Sequence, residues 1–329
     1  MQLVVDRQGS RIRVSDGLFV VRQGEEEQRI PPARLRSIVL QPATALSHEV
    51  VRLAVSQEIE ILFLDESGFP FARLWSPRFG SISTIRKNQV AFAQGAAGLA
   101  WVRKLLVRKL ENQTVILSLL RPASPDLLPT VQDAIAQIEG QRERIRQAAF
   151  ADIAEAAPTL RGLEGSSGRV YFQTLSLCLP EPYRFEKRSR QPAMDMFNAL
   201  LNYAYGMLYG IVEGALIKAG LDPYLGVFHR DDYNRPVLAF DFIEPYRVWA
   251  EYVVIRLCMD RAIFVELFEQ RQGGYWLARE GKRLLIYAMN DYLQEIVELQ
   301  GQERSRRVHI ELEAQALAQE VKAISATEP

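Results

Sequence analysis

The spacing of apolar residues changes once along this chain of 329 residues, near residue 80, so two kinds of structure are expected. Before that point, short runs rich in β-branched residues are broken by glycine and proline, which is typical of β-strands joined by turns. One helix, from Ser47 to Ser56, is expected to pack against these strands. The strands are predicted at Leu3–Val5, Ile12–Val14, Leu18–Val21, Ser37–Leu40, Ile59–Leu64 and Phe69–Trp75.

After about Ser81, apolar residues recur at helical spacing over long stretches. We therefore predict an α+β protein of two domains, joined near Ser76–Ser81. A small N-terminal β-sheet domain spans residues 1–78, and a larger all-α domain spans residues 79–329. Helices are predicted over residues 85–119, 125–157, 165–183, 195–219, 245–270, 282–299 and 305–323.

Composition and motif content exclude several classes of protein. The chain has two cysteines and three histidines, which argues against a disulfide scaffold, a cysteine-rich zinc module and a multi-histidine zinc site. It has no P-loop, no dinucleotide-binding glycine motif after a strand, no His-Glu-x-x-His motif and no serine-hydrolase elbow. Its net charge is zero, which counts against nucleic-acid binding, but 33 of its 40 cationic residues are arginine. Arginine suits bidentate phosphate contacts, although composition alone favours genomic bias or the use of ion pairs as the explanation.

We expect a soluble, cytoplasmic protein that does not enter a membrane. The first residues, Met1 to Asp6, lack the basic region of a signal peptide. The apolar stretch over residues 196–212 is short for a membrane span and is interrupted by Asn198 and Asn202, so we interpret it as a buried core helix.

A first candidate site combines Gly226–His229 with two acids, Asp241 and Glu244. The acids are three residues apart and are predicted at the start of a helix whose first turn contains Pro245. Carboxylates on one helical turn facing an imidazole form a site that suits Mg²⁺ or Mn²⁺. The alternative is that the acids only complement the helix dipole and that His229 is a core histidine.

Two further segments carry charged residues in an unusual setting. Glu164 is predicted to enter a turn flanked by glycine and serine, with Arg169 and two aromatic residues behind it. The segment Tyr183–Pro192 interleaves aromatic residues with cations, including Arg188 and Arg190, and could follow a phosphate backbone. A solvated loop acid and a solvated run of charge are the respective alternatives.

Taken in order, these segments resemble the CRISPR-associated integrase family of the adaptation module. The resemblance covers essentially the whole chain and is densest from Glu164 to Arg247. The matching segments are Glu164-Gly165 with Tyr171-Phe172, Arg188–Pro192 with Asn198–Tyr203 and Tyr205-Gly206, Gly220–Pro223 with Gly226–His229, and Asp241 with Glu244, Pro245 and Arg247.

The resemblance implies a catalytic site of Glu164, His229, Glu244 and Asp241. In this site Mg²⁺ or Mn²⁺ is bound by Glu164, His229 and Glu244, with Asp241 as a close neighbour. It also implies a homodimer that forms through the N-terminal domain, and two such dimers that hold a small ferredoxin-like partner protein of the adaptation module. The expected substrates are double-stranded and branched DNA. We expect Arg247 to stabilise charge on the scissile phosphate and Arg188 and Arg190 to position DNA.

The function implied is insertion of short foreign DNA fragments into a CRISPR repeat array, by attack of a 3′-OH on a phosphodiester. Such chemistry needs no covalent enzyme intermediate, so Tyr171, Tyr203 and Tyr205 are interpreted as packing or stacking residues. Three alternatives remain at this point: a non-catalytic DNA-binding scaffold of the same fold, a stand-alone metal-dependent repair nuclease, and a metal-dependent phosphohydrolase of small molecules. The complete Glu/His/Glu set argues against the scaffold, and the arginine-rich loop argues against the phosphohydrolase.

Overall fold

The computed structural model describes residues 2–65, 70–74, 83–120, 124–229 and 235–324. The chain divides into two compact units, Met1–Gly80 and Ser81–Pro329. The predicted linker, Ser76–Ser81, lies outside the described residues, and the division between the units falls within it.

The N-terminal unit contains two four-stranded sheets among its described residues. In one sheet the order is β1-β5-β7-β8, with β8 antiparallel to three parallel strands; in the other it is β4-β3-β2-β6, with β6 parallel to β2. The strands are β1 (Gln2–Val5), β2 (Arg11–Ser15), β3 (Leu18–Gln23), β4 (Glu26–Ile30), β5 (Ser37–Leu40), β6 (Ala45–Leu46), β7 (Glu60–Leu64) and β8 (Pro70–Leu74).

Apolar residues from both sheets and from helix α1 (His48–Ser56) form the core of this unit. Val5, Phe19, Ile38 and Val50 are completely buried there. Strand β4 was not predicted because four of its five residues are exposed, so it has no apolar run to mark it as a strand. Its hydrogen bonds to β3 hold it in the sheet.

The second unit is mostly helical, which confirms the predicted fold class. Its helices are α2 (Ser83–Gln94), α3 (Ala96–Leu119), α4 (Leu128–Gln147), α5 (Ile153–Cys178), α6 (Met196–Lys218), α7 (Val237–Phe242), α8 (Arg247–Met259), α9 (Arg279–Gln294) and α10 (Arg306–Ala323). The single helix predicted over residues 85–119 is wrong, because the chain bends by 75° between α2 and α3. A Cβ atom at Gly98 would lie 2.3 Å from the Phe92 carbonyl oxygen, so this bend needs glycine there.

Helix α5 corrects the prediction of a turn at Glu164. The glycines and serines from Gly165 to Gly168 lie inside the helix, although each glycine costs about 1 kcal/mol relative to alanine. Buried residues recur at helical spacing on both sides of them, at Leu160, Leu163 and Tyr171. Burial of this apolar face outweighs the local preference for a turn.

Two β-hairpins lie in the helical unit, and the first strand of each overlaps the end of a predicted helix. Strands β9 (Phe268–Arg271) and β10 (Gly274–Leu277) form one hairpin, and β11 (Ile296–Leu299) and β12 (Gln302–Ser305) form the other. In each hairpin a Gln-Gly pair connects the strands with both residues at positive φ, as two-residue hairpin turns require. The helices predicted over 245–270 and 282–299 therefore end early, at Met259 and Gln294.

Helix α6 is the buried core helix that its apolar composition predicts. It is long and apolar enough to cross a membrane by length and composition, yet 67% of its most apolar stretch is buried inside the fold. It packs against α8, α9 and α10. The carboxylate of Asp195 accepts the backbone N–H of Asn198 at its start, and Gly220 follows its end at φ +87°.

Candidate functional site

Five segments of the helical unit bring the predicted site residues together. Glu164 lies on α5 and Asp241 on the short helix α7, while His229 lies between α6 and α7. Glu244 begins a single 3₁₀ turn, Glu244–Tyr246, between α7 and α8. A lysine of α3, Lys109, completes the cluster.

Asp241 organises the segment that carries His229. Its completely buried carboxylate accepts the backbone N–H groups of Val227, Phe228 and His229, at 2.7, 3.0 and 2.9 Å. The same carboxylate accepts from His229 Nδ1 at 2.6 Å. Asp241 lies near the end of α7 rather than at the start of a helix as predicted, so its role is to bind this segment and not to complement a helix dipole.

Because His229 Nδ1 contacts Asp241, the other ring nitrogen, Nε2, is directed toward Glu244. Nε2 lies 3.9 Å from Glu244 Oε1, and the His229 side chain is 37% exposed. A core histidine would be enclosed, so this alternative is wrong for His229. A carboxylate on one imidazole nitrogen is the usual way in which proteins orient the other nitrogen toward a metal.

Contacts outside the ionisable cluster fix the same segments. The Arg161 guanidinium on α5 donates to the Phe228 carbonyl at 2.8 Å, and the Asn112 amide on α3 donates to the Pro245 carbonyl at 2.8 Å. A Cβ atom at Gly226 would lie 2.5 Å from Val237 Cγ1, so the segment before His229 approaches α7 more closely than any other residue allows. Helices α3, α5 and α7 thus hold the backbone on both sides of the site.

Glu244 is nearly enclosed by positive charge. Its side chain is 5% exposed, with Arg247 Nε 3.0 Å from Oε1 and Lys109 Nζ 2.6 Å from Oε2. Burial raises the pKa of Glu244, but the charges of Arg247 and Lys109 outweigh burial and lower the pKa to about 2. Glu244 is therefore a carboxylate throughout the physiological pH range.

Lys109 joins Glu244 to Glu164. Its ammonium group donates to Glu164 Oε1 and also contacts Glu244 Oε2. Burial lowers the pKa of Lys109, but Glu244 and Glu164 outweigh burial, and the pKa lies above its ordinary value. Lys109 was not predicted as a site residue, although the sequence carries a signal: this lysine follows Leu105 and Leu106 at helical spacing, on the apolar face of α3.

The donor groups fit a divalent cation, although no three His, Cys, Asp or Glu side chains within the described residues are arranged to hold one as they stand. Two carboxylates and an imidazole are suitable ligands for Mg²⁺ or Mn²⁺. Glu244 Oε2 is buried and has no hydrogen bond from any described residue, since its contact with Lys109 is an ion pair of poor hydrogen-bond geometry. The Lys109 ammonium occupies the position between Glu164 and Glu244.

A second layer of buried polar groups lies behind Arg247. The Arg247 guanidinium stacks 4.8 Å from the centre of the Tyr205 ring. Tyr205 and Tyr171 both donate their hydroxyl groups to Glu251, at 2.5 and 2.7 Å. Glu251 is 1% exposed, and burial raises its pKa. The tyrosines were predicted to be packing or stacking residues, and Glu251, which lies one helical turn after Arg247, was not predicted at all.

The two loop arginines differ in their surroundings. Arg188 donates to the side-chain oxygens of Asn198 and Asn202, the latter at 2.9 Å, and stacks 5.7 Å from the centre of the Tyr205 ring. It is thus continuous with the layer behind Arg247 and is not part of a solvated run of charge. Arg190 is exposed. A role for either residue in DNA binding stays a prediction.

Comparisons with known proteins agree with this architecture. The family described as "CRISPR associated protein Cas1" matches residues 3–291. The curated "CRISPR-associated endonuclease Cas1 1" of Archaeoglobus fulgidus is 30% identical over 313 residues, which make up 92% of this chain and 90% of that relative.

Two solved structures share the fold. A structure described as "Casposase bound to integration product" has a TM-score of 0.81 at 20% identity, covering 99% of this chain and 92% of that one. A chain of a "Cas6-RT-Cas1–Cas2 complex" has a TM-score of 0.80 at 21% identity, covering 98% of this chain but 35% of that longer one.

Proposed function

The chain belongs to the Cas1 family, and from this premise we propose that it is a metal-dependent DNA endonuclease and integrase. The proposed reaction inserts short foreign DNA fragments into a CRISPR repeat array during spacer acquisition. In that reaction the 3′-OH of the fragment attacks a phosphodiester of the repeat, the bond between phosphorus and the 3′-oxygen of the repeat strand breaks, and this oxygen leaves as a new 3′-OH, so the number of phosphodiester bonds and protons is unchanged. The observation that supports it best is the position of Glu244, which faces His229 Nε2 on one side and, through Lys109, Glu164 on the other.

Glu164, Glu244 and His229 Nε2 are the groups that would hold Mg²⁺ or Mn²⁺. When bound, such an ion polarises the phosphoryl oxygen and lowers the pKa of the attacking hydroxyl group. Asp241 accepts from His229 Nδ1 and thereby keeps the lone pair of Nε2 directed toward the ligand position. The guanidinium of Arg247, held by Glu244 and Tyr205, can stabilise negative charge that develops on the phosphate.

Partners and assembly follow from the same proposal. One relative by fold is described as bound to an integration product, and another belongs to a Cas1–Cas2 complex. For this chain we propose double-stranded and branched DNA as substrates, a homodimer formed through the N-terminal unit, and a small ferredoxin-like partner protein. We also propose that the protein acts on the repeat array in the cytoplasm.

A strand-joining assay tests this function. Branched DNA that mimics half-site integration is incubated with the protein and Mg²⁺, Mn²⁺ or EDTA. We expect metal-dependent strand joining, or its reversal, in the wild type. His229→Ala should abolish it because no other imidazole faces Glu244 among the described residues. The matched control is His48→Ala, an exposed histidine of the N-terminal unit, which should keep wild-type activity.

Each alternative predicts a different result in the same assay. DNA binding without strand joining or cleavage, even with the partner protein present, would support a non-catalytic scaffold. Metal-dependent hydrolysis without strand joining would support a stand-alone repair nuclease. Activity that survives in both EDTA and His229→Ala would show that the proposed site is wrong.

A further inference from the structure

We infer that the Lys109 ammonium group is an internal counter-ion that holds the position between Glu164 and Glu244, and that a divalent cation binds there by displacing it. The inference rests on the proposed function, since it concerns the same carboxylates. It adds a residue that neither the sequence motifs nor the family resemblance assigns to the site.

The contacts of Lys109 support this role. Its side chain is 9% exposed, and its ammonium contacts Glu164 and Glu244 together, whose side chains are 27% and 5% exposed. A lysine so deeply buried on an apolar helix face loses much of its hydration, which two carboxylates must replace. The ammonium group that these two carboxylates surround fills the place where their oxygen atoms would bind a metal ion.

Charge balance gives the reason for displacement rather than joint occupancy. Lys109 and Arg247 carry two positive charges against the two negative charges of Glu164 and Glu244, so these four side chains are already neutral together. A divalent cation would add two positive charges at short range in a poorly solvated site, where repulsion is strong. Departure of the ammonium removes the positive charge of Lys109 from the site and frees oxygen lone pairs on both glutamates.

A neighbouring group can receive the displaced ammonium. Gln113 lies four residues after Lys109 on α3, and residues with this spacing lie on the same helix face. The Gln113 side-chain oxygen is buried and has no hydrogen-bond partner in the described part of the chain. Such an atom is costly to leave unpaired, and an ammonium that moves away from Glu244 would satisfy it.

The experiment measures Mn²⁺ binding to the full chain without DNA, by following the electron paramagnetic resonance signal of free Mn²⁺ during titration. The variant is Lys109→Met, which keeps the length and apolar stem of the side chain but removes the charge. The matched control is Lys104→Met, the same substitution at an exposed position of the same helix. We expect Lys109→Met to bind Mn²⁺ roughly tenfold more tightly than the wild type and Lys104→Met to bind it equally.

Equal or weaker Mn²⁺ binding by folded Lys109→Met, with binding by the wild type intact, overturns this inference and leaves the proposed function standing. Absence of Mn²⁺ binding in both proteins overturns the metal site of the proposed function as well. If Lys109→Met does not fold, Gln113→Leu tests the same displacement with Lys109 in place. It should weaken Mn²⁺ binding several-fold because the displaced ammonium loses its acceptor, and unchanged binding overturns the inference.

Discussion

Both units of this protein bury charged side chains, but the two units differ in how far apart the paired residues lie in the fold's sequence of elements. In the N-terminal unit, Arg73 on β8 pairs with Glu60 on the adjacent strand β7, and both side chains are almost completely buried. In the helical unit, Lys109 contacts Glu164 and Glu244, which come from separate segments and carry further charged neighbours. The ion pair between adjacent strands stabilises the sheet. Charged side chains that come from distant segments can also bind a ligand. The following predictions test this difference.

The largest expected effect is on activity, at Glu244. Glu244→Ala removes the carboxylate that contacts Lys109 and Arg247 and faces His229, so strand joining should fall by roughly 10³-fold or more. The helical content measured by circular dichroism should stay at the wild-type level. Retention of a substantial part of the wild-type rate would remove Glu244 from the proposed machinery.

The next effect is on stability, in the N-terminal unit. Glu60→Ala leaves Arg73 buried without this carboxylate and should lower the free energy of unfolding by about 3–5 kcal/mol. Urea unfolding followed by circular dichroism measures the change, with the exposed Glu58→Ala as control. Strand joining by the folded fraction should match the wild type. A loss of joining in folded protein would contradict the division between a structural pair and a functional cluster.

A smaller effect is expected at Asp241, which acts through His229. Asp241→Asn keeps the size of the side chain but removes the charge that binds three backbone N–H groups and His229 Nδ1. Mn²⁺ affinity should fall about 10–100-fold, as for other groups that orient metal-bound histidines. Titration of Mn²⁺ against both proteins provides the measurement, and an unchanged affinity would show that His229 needs no such support.

The smallest effects concern pH, and two buried glutamates should respond in opposite directions. The pKa of Glu244 is lowered to about 2, so its carboxylate stabilises the folded state above its unfolded pKa, and this contribution is lost as pH falls toward 2. Burial raises the pKa of Glu251, so its ionised form costs stability at neutral pH, and that cost is relieved as pH falls through its folded pKa.

Urea unfolding in EDTA between pH 7 and pH 3 separates these contributions. The difference in free energy of unfolding between wild type and Glu244→Gln should be constant down to about pH 4.5 and shrink below it. The advantage of Glu251→Gln over wild type should instead be greatest at neutral pH and shrink as the medium becomes acidic. Parallel curves for the two variants would show that the two glutamates do not differ as described.

Much of the fold was predictable because it depends on short-range patterns. Short β-branched runs between glycine and proline located most strands of the N-terminal unit, and helical spacing located α6 and α10. The errors occurred where local and distant preferences disagree. Gly165 and its neighbours suggest a turn, but burial of the surrounding apolar residues makes a helix, and the exposed residues of β4 carry no apolar signal although hydrogen bonds place them in a sheet.

The candidate site was predictable in its residue types and less so in its geometry. Glu164, His229, Asp241 and Glu244 lie in three of the four ordered motifs, and the structure places them around one cluster. The motifs do not predict Lys109 between the glutamates, because Glu164 and Glu244 lie 55 and 135 positions further along the chain and no local spacing relates them to it. Glu251 was missed for the same reason, since its partners Tyr171 and Tyr205 lie on other helices.

The sequence by itself determined the change from strands to helices near residue 80, the start of α6 near Asp195, and the chemical types of the site residues. These properties arise from contacts within a few residues, where spacing along the chain sets distance in space. The tertiary structure decided that Lys109 is enclosed by two carboxylates while Lys104, five residues earlier, lies in solvent. Burial and pKa depend on neighbours that only packing brings together, so identical side chains on one helix acquire different roles.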